Sequence, residues 1–245
     1  MTEHEVRPKV VSAARLIGEL ELTSKRGFVT IHLVGERRQV RAIPRRRNFP
    51  PHEKESRFMH RSQVLQAILN QKTSPTYLEI GVFKGHVFQP MRAGKKIAVD
   101  PQFRLRSFRK FVTTITNPRN LTNQYFEMTS DQFFEQHSDA LAEGIDVAFV
   151  DGLHTSEQSY KDVQNCLRFL KPDGVIVMHD CDPPSATAAD PNRPSVLNTR
   201  NGDIPKEERI WTGDVFKALL RLRAEENDLH IFVLDTDFGL GILRK

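Results

Sequence analysis

Two short clusters pair acids with histidines, Asp151-Gly152-Leu153-His154 and His179-Asp180, and each closes an apolar run. A third run ends in Glu79-Ile80-Gly81-Val82-Phe83-Lys84-Gly85, and a fourth ends in Asp100. Carboxylates and imidazoles set just past strand ends can take up and release protons. Free imidazole titrates near 6.5, so His154 is the most convenient general base at neutral pH, with His179 and Asp180 as the other candidates. The competing reading of His154 is structural, a bridge from its loop to a neighbouring carboxylate; catalysis is favoured over it. The glycines let a backbone approach a nucleoside closely, and Asp100 can accept hydrogen bonds from both ribose hydroxyls. The same pattern would serve a dinucleotide or plain strand-to-helix packing. A dinucleotide fingerprint, however, needs glycine where Phe83 stands, and no phosphate-cradling lysine loop occurs.

These residues need a scaffold, and the runs before them supply it. Tyr77 to Ile80, Lys96 to Val99, Asp146 to Val150 and Val175 to Met178 are continuously rather than alternately apolar. That predicts strands buried on both faces, hence a parallel sheet covered by helices. Ser62 caps a helix carrying Val64, Leu65, Ile68 and Leu69. A helix over 156–171 puts Val163, Cys166, Leu167 and Leu170 on one face, with Thr155 and Gln158 placed for a capping box. A helix over 214–226 follows, and His230 to Leu234 and Gly239 to Leu243 close the chain as an antiparallel pair. The expected architecture is a doubly wound α/β domain over about 60–245. Ahead of it lie a helix over 8–21, a hairpin of Phe28 to Val34 and Arg37 to Ile43 turning at Gly35-Glu36, and a linker over 44–51. The chain thus divides into an N-terminal basic helix/hairpin extension, 1–50, and a main domain, 51–245.

Composition agrees with one folded domain plus an appendage. The 245 residues are 38% hydrophobic and 27% charged, which excludes a disordered or fibrous chain. No apolar run reaches the roughly 18 residues of a membrane helix, and the acidic start Met1-Thr2-Glu3-His4-Glu5 shows no signal peptide. Cys166 and Cys181 are the only cysteines, so a disulfide framework is excluded and a cytoplasmic location is expected. Of the +5 net charge, residues 1–50 carry +6, from 11 Lys/Arg against 5 Asp/Glu. The arginines there suit a phosphate-bearing partner, but no aromatics interleave them, so a solvated strand or a subunit contact is preferred.

Taken together, the chain resembles the class I S-adenosylmethionine-dependent methyltransferases. Within them it is similar to the branch grouping antibiotic- and sugar-modifying O-methyltransferases with cephalosporin-hydroxylase-like proteins. The resemblance rests on Glu79 to Gly85, Ala98-Val99-Asp100-Pro101, Met128 to Phe134, Val150 to Thr155, Gly174 to Cys181 and Trp211 to Lys217, in order over residues 62–245. It implies a mostly parallel, seven-stranded Rossmann-like sheet and S-adenosyl-L-methionine as cofactor. Glu79, Gly81, Val82 and Gly85 would line the methionine end, Asp100 would hold the ribose, and Ser130 and Asp131 would lie against the adenine. A helix N-cap before Phe133-Phe134 is the alternative, compatible reading of Ser130-Asp131. Asp151 would face the transfer centre, with catalysis by His154, Asp151, His179 and Asp180.

Catechol-type relatives hold a divalent ion through acids corresponding to Asp151 and Asp180, so a magnesium ion is an even expectation. Cys181 stands where an Asn or Asp ligand would be; thiol is a poor magnesium ligand, and Asp182 is the substitute. Residues 183–210 hold five prolines and no periodicity, and read as a substrate lid. Trp211 is then an acceptor-stacking residue or a packing anchor. The expected partners are a small-molecule or saccharide acceptor and a second copy in a homo-oligomer, without membrane or nucleic acid. Two alternatives remain: a nucleic-acid methyltransferase using the basic N-terminus, and a non-catalytic cofactor-binding assembly protein. Against the first, Asp182-Pro183-Pro184-Ser185 lacks the aromatic of the nucleobase-type motif.

Overall fold

The computed structural model describes residues 59–105, 112, 114–192 and 210–245, together with three strand backbones nearer the N-terminus. Those strands, β1 (Thr23–Lys25), β2 (Phe28–Leu33) and β3 (Glu36–Val40), form an antiparallel sheet. The hairpin is present, but Glu36 pairs with Leu33 and so belongs to the second strand rather than to the expected Gly35-Glu36 turn. β1 is an added strand. The helix expected over 8–21 and the linker over 44–51 lie outside the described residues.

The main sheet has seven strands: β4 (Thr76–Ile80), β5 (Lys95–Asp100), β6 (Gln124–Glu127), β7 (Ile145–Val150), β8 (Leu170–Met178), β9 (His230–Leu234) and β10 (Leu240–Arg244). Their order is β6-β5-β4-β7-β8-β10-β9, parallel through β8, with β10 antiparallel to both its neighbours. Among the described residues, helices α1 (Arg61–Leu69), α2 (Ser130–Gln136), α3 (Ser156–Phe169) and α4 (Val215–Glu225) accompany them.

Every residue of β4 and β7 is buried, as their unbroken apolar runs require. Leu78, Ile80, Ile97, Val99 and Val150 face one core with Phe133, Val163, Cys166 and Leu219. Tyr77, Ala98, Val147 and Phe149 face the other with Val64, Leu65 and Leu69 of α1. A fully buried aliphatic side chain of this kind contributes about 1.5–3 kcal/mol.

The helix starts correct three expectations. His60, not Ser62, caps α1, in a reciprocal box with Gln63. Thr129 caps α2, so Ser130 is its first residue. Thr155 precedes α3 without a side-chain cap, because the Asp214 carboxylate takes the Ser156 N–H at 2.7 Å and Gln158 turns elsewhere. A carboxylate brought in by the fold displaces the local hydroxyl at that position.

The chain leaves β4 towards β5 on one side and later returns beside it as β7, so the strand order reverses between these two. Ligands of open α/β sheets bind beyond the strand ends at that reversal. Ladder-like bonds continue past the strands there: Gly81 N–H to Val99 O, Asp151 N–H to Ile80 O and His179 N–H to Val150 O, at 2.9–3.1 Å.

Candidate active site

Beyond β7 and β8 the two acid–histidine clusters converge. His154 Nδ1 lies 2.7 Å from Asp180 Oδ2, and its Nε2 lies 3.7 Å from Asp151 Oδ1. His179 Nδ1 lies 3.0 Å from Asp180 Oδ1 and 3.2 Å from Asp151 Oδ1. Burial opposes a charge on either imidazole, but the facing carboxylates outweigh it. His154 is raised above its ordinary 6.5, and His179, with Asp151, Asp180 and Asp237 all near it, is pushed up to about 11. Asp180, although buried, is held below the usual carboxylate range by the two histidines.

Backbone strain collects at these positions. His154 has φ +54°, Asp180 +59°, Asp237 +48° and Phe238 +60°, in the left-handed region that side-chain-bearing residues rarely occupy. Two glycines hold the strained loops. A Cβ on Gly81, at φ +87°, would sit 2.0 Å from the Asp151 carbonyl oxygen; one on Gly213, at φ +60°, would sit 1.8 Å from that of His154. The Gly213 segment also presents Trp211, whose ring stacks on His154 at 5.0 Å between centroids while its Nε1 donates to Asp190 O. Trp211 therefore packs against the imidazole and ties down the start of the expected lid; residues 193–209 of that lid lie outside the described residues.

The residues expected around a cofactor are distributed less uniformly. Gly81 and Gly85 both take positive φ in the turn after β4. Asp100 accepts from the Phe83 and Gln102 N–H groups at 2.7 Å, one on each oxygen, which leaves each oxygen a further lone pair. Val82 is buried in the core beside α1 rather than turned outward. Glu79 lies inside β4, fully buried; Tyr77 OH donates to it at 2.5 Å, and burial raises its carboxyl to about 8. Ser130 and Asp131 face α3, where Gln158 reaches both at 3.2 Å and Lys161 pairs with Asp131 at 2.6 Å.

Donor atoms of Asp151, His154 and Asp180 all lie within 4.8 Å of one another, a spacing that one metal ion can bridge. Both ring nitrogens of His179 are buried near carboxylates without an aligned hydrogen bond, so the cluster has unspent polar capacity. Cys181 does not belong to this set: it is fully buried, its thiol lies against the Met178 and His179 carbonyls, and burial pushes it well up. Two further residues join the cluster that no local spacing in the sequence announces, Arg61 of α1 and Asp237 of the β9–β10 turn.

With this geometry in place, the family comparison is decisive. Residues 78–181, from β4 to just past β8, match the family model described as a methyltransferase domain. The chain carries a methyltransferase domain. The reading as a class I S-adenosylmethionine-dependent methyltransferase holds, and the matched segment of the methyltransferase contains Gly81, Asp100, Asp151, His154 and Asp180. Among solved structures, a protein from Klebsiella pneumoniae assigned as an O-methyltransferase aligns with a TM-score of 0.53 at 14% identity, over 80% of this chain and 82% of that one. TomG from Streptomyces achromogenes, an O-methyltransferase involved in tomaymycin synthesis and bound to S-adenosylmethionine, aligns at 0.52 and 10% identity, over 79% and 84%. At such identities the likeness is one of fold. Curated protein sequences yield no match.

Proposed function

We propose that this methyltransferase transfers the methyl group of S-adenosylmethionine to a hydroxyl oxygen of a small molecule or saccharide. The single observation that carries the reading is His154, held through Nδ1 by Asp180 at 2.7 Å, beside the reversal in strand order. A side-chain-free glycine turn and an anchored strand-end acid suit the cofactor, and Gly81, Gly85 and Asp100 would hold it. When bound, S-adenosylmethionine supplies an electrophilic methyl on a sulfonium.

His154 then acts as general base. With Nδ1 committed to Asp180, its Nε2 lone pair accepts the acceptor hydroxyl's proton as the oxygen–methyl bond forms. Asp180 stabilises the resulting imidazolium, the same logic by which a buried carboxylate orients a catalytic histidine elsewhere. Trp211 stacks on the imidazole and limits its rotation, so positioning supplies much of the acceleration. Asp151 and Asp180 would hold a divalent ion such as magnesium, which would lower the pKa of the acceptor hydroxyl and orient it.

Three further elements belong to the reading. The two free, buried cysteines suit a reducing cytoplasm; among the described residues no helix is long and apolar enough to cross a membrane. Residues 51–245 form the methyltransferase domain and 1–50 an extension that supports a homo-oligomer. The complete seven-stranded sheet between Thr76 and Arg244 supports that division. Calorimetry with S-adenosylmethionine and its demethylated product, followed by radiolabelled methyl transfer to a panel of hydroxyl acceptors, tests the whole. Tight NAD binding without S-adenosylmethionine binding would overturn it.

A further inference from the structure

Arg61 is the first residue of α1, and Asp237 sits in the turn between β9 and β10, 176 residues away. Neither lies in the segment matched as a methyltransferase domain, which ends at 181. The Asp237 carboxylate nevertheless grips Arg61 at three points: Oδ2 accepts from the backbone N–H at 3.0 Å and from Nε at 2.8 Å, and Oδ1 lies 3.4 Å from Nη2. Its Oδ1 also lies 3.6 Å from His179 Nε2. So gripped, Arg61 extends Nη1 to Asp151 Oδ2 at 2.9 Å.

The geometry divides the two oxygens of Asp151. Oδ2 is taken by Arg61, while Oδ1 is the oxygen that faces His179 at 3.2 Å and His154 at 3.7 Å. A carboxylate rotates about its last torsion at little cost unless a neighbour holds one oxygen. Arg61 is that neighbour, and its planar guanidinium holds donors in fixed directions, so that Nε and Nη2 face Asp237 while Nη1 faces Asp151. Asp237 bears the strain of φ +48° in making the grip.

We infer that Asp237 and Arg61 form a positioning relay, in which Asp237 seats Arg61 and Arg61 turns Asp151 so that Oδ1 faces the reaction centre. α1 and the C-terminal hairpin, which flank the matched segment in sequence, thereby complete the site. The inference rests on the reading of Asp151 and His154 as site residues.

The test is side-chain NMR of the full chain labelled with ¹⁵N-histidine, assigned with His154→Gln and His179→Gln. Arg61→Gln should displace the ring resonances of both histidines, and Asp237→Asn should displace those of His154, the ring that Asp237 does not itself face. At His154 the double variant should give no further displacement than one substitution does, as expected of residues acting in one chain. Asp237→Glu, which restores the carboxylate, should recover part of the displacement. Lys161→Gln, which breaks the ion pair with Asp131 on α3, should leave both rings unmoved. Far-ultraviolet circular dichroism of each variant confirms that the fold is retained. Unmoved histidine resonances in a folded Arg61→Gln protein, or additive displacements at His154 in the double variant, would overturn the relay. S-adenosylmethionine binding by the wild-type chain is measured alongside: its absence would sink the methyltransferase reading, whereas the histidine displacements judge the relay by themselves.

Discussion

Asp180 holds His154 through Nδ1 at 2.7 Å, and both residues carry a positive φ, +54° for the histidine and +59° for the acid. Two strained backbones thus meet in one hydrogen bond. The turn into α3 and the turn after β8 are each bent to bring these side chains together, and the strained conformations are stable only because packed neighbours over-determine them.

Breaking that contact should be costly for catalysis and mild for binding. Asp180→Asn and His154→Gln are each expected to lower kcat on the order of 10²–10⁴-fold, with S-adenosylmethionine affinity little changed. The base works in its neutral form, and its pKa is raised, so activity should climb with pH along a limb lying above 6.5. In Asp180→Asn that limb should slide down towards 6.5, where an unassisted imidazole titrates. A pH–rate profile of both proteins checks this.

The proposed ion between Asp151 and Asp180 would make activity depend on metal. Exhaustive chelation should abolish methyl transfer, and magnesium or manganese should restore it. Manganese titration followed by electron paramagnetic resonance should show one site in the wild-type chain and much weaker binding in Asp151→Asn. Full activity in excess chelator would remove the ion from the mechanism and leave His154 to act without it.

Glu79 is expected to be protonated in the folded protein at neutral pH, because burial lifts it from 4.5 to about 8. A raised carboxyl contributes stability that is complete below 4.5 and disappears as pH rises through about 8. Glu79→Gln replaces a neutral acid by a neutral amide of the same shape, so below pH 4.5, where the carboxyl is protonated in both the folded and the unfolded chain, it should change stability by no more than about 1 kcal/mol. The wild type should lose stability relative to this variant between pH 4.5 and 8, as read from urea unfolding at several pH values.

Asp100 is already anchored by the Phe83 and Gln102 amides, so its carboxylate stands ready before any ligand arrives. Asp100→Asn retains the shape but places donors where acceptors are needed. Affinity for S-adenosylmethionine should fall roughly 10-fold or more, consistent with about 1–3 kcal/mol for a buried polar group left unpaired. Calorimetry decides it.

Gly213→Ala probes the lock on His154. The new Cβ would fall 1.8 Å from the His154 carbonyl oxygen, and the residue would have to hold φ +60°. Something must move, and the Trp211–His154 stack moves with it. A loss of at least about 1–2 kcal/mol in stability is expected, with a fall in kcat larger than the change in cofactor affinity. Differential scanning fluorimetry and methyl-transfer kinetics give the two readings.

Much of this protein was legible in its sequence because the relevant signals are local. Continuous apolar runs identify strands buried on both faces, and the acids and glycines that end those runs are carried to one edge of the sheet by topology alone. Asp151, His154, His179, Asp180 and Asp100 could therefore be singled out before any coordinates. What side chains do after the strand ends depends on contacts across the chain, which spacing does not encode. Glu79, marked by its motif, proves to lie inside β4 beneath Tyr77, and Asp131 is drawn to Lys161 on α3. Thr155 yields its capping role to Asp214, 59 positions on, because a buried carboxylate makes the stronger bond to the half-buried helix start. Arg61 and Asp237 were invisible for the same reason. Each is an ordinary charged residue in its own neighbourhood, and only closure of the sheet brings α1 and the last hairpin together over Asp151, where a low dielectric makes their charges count.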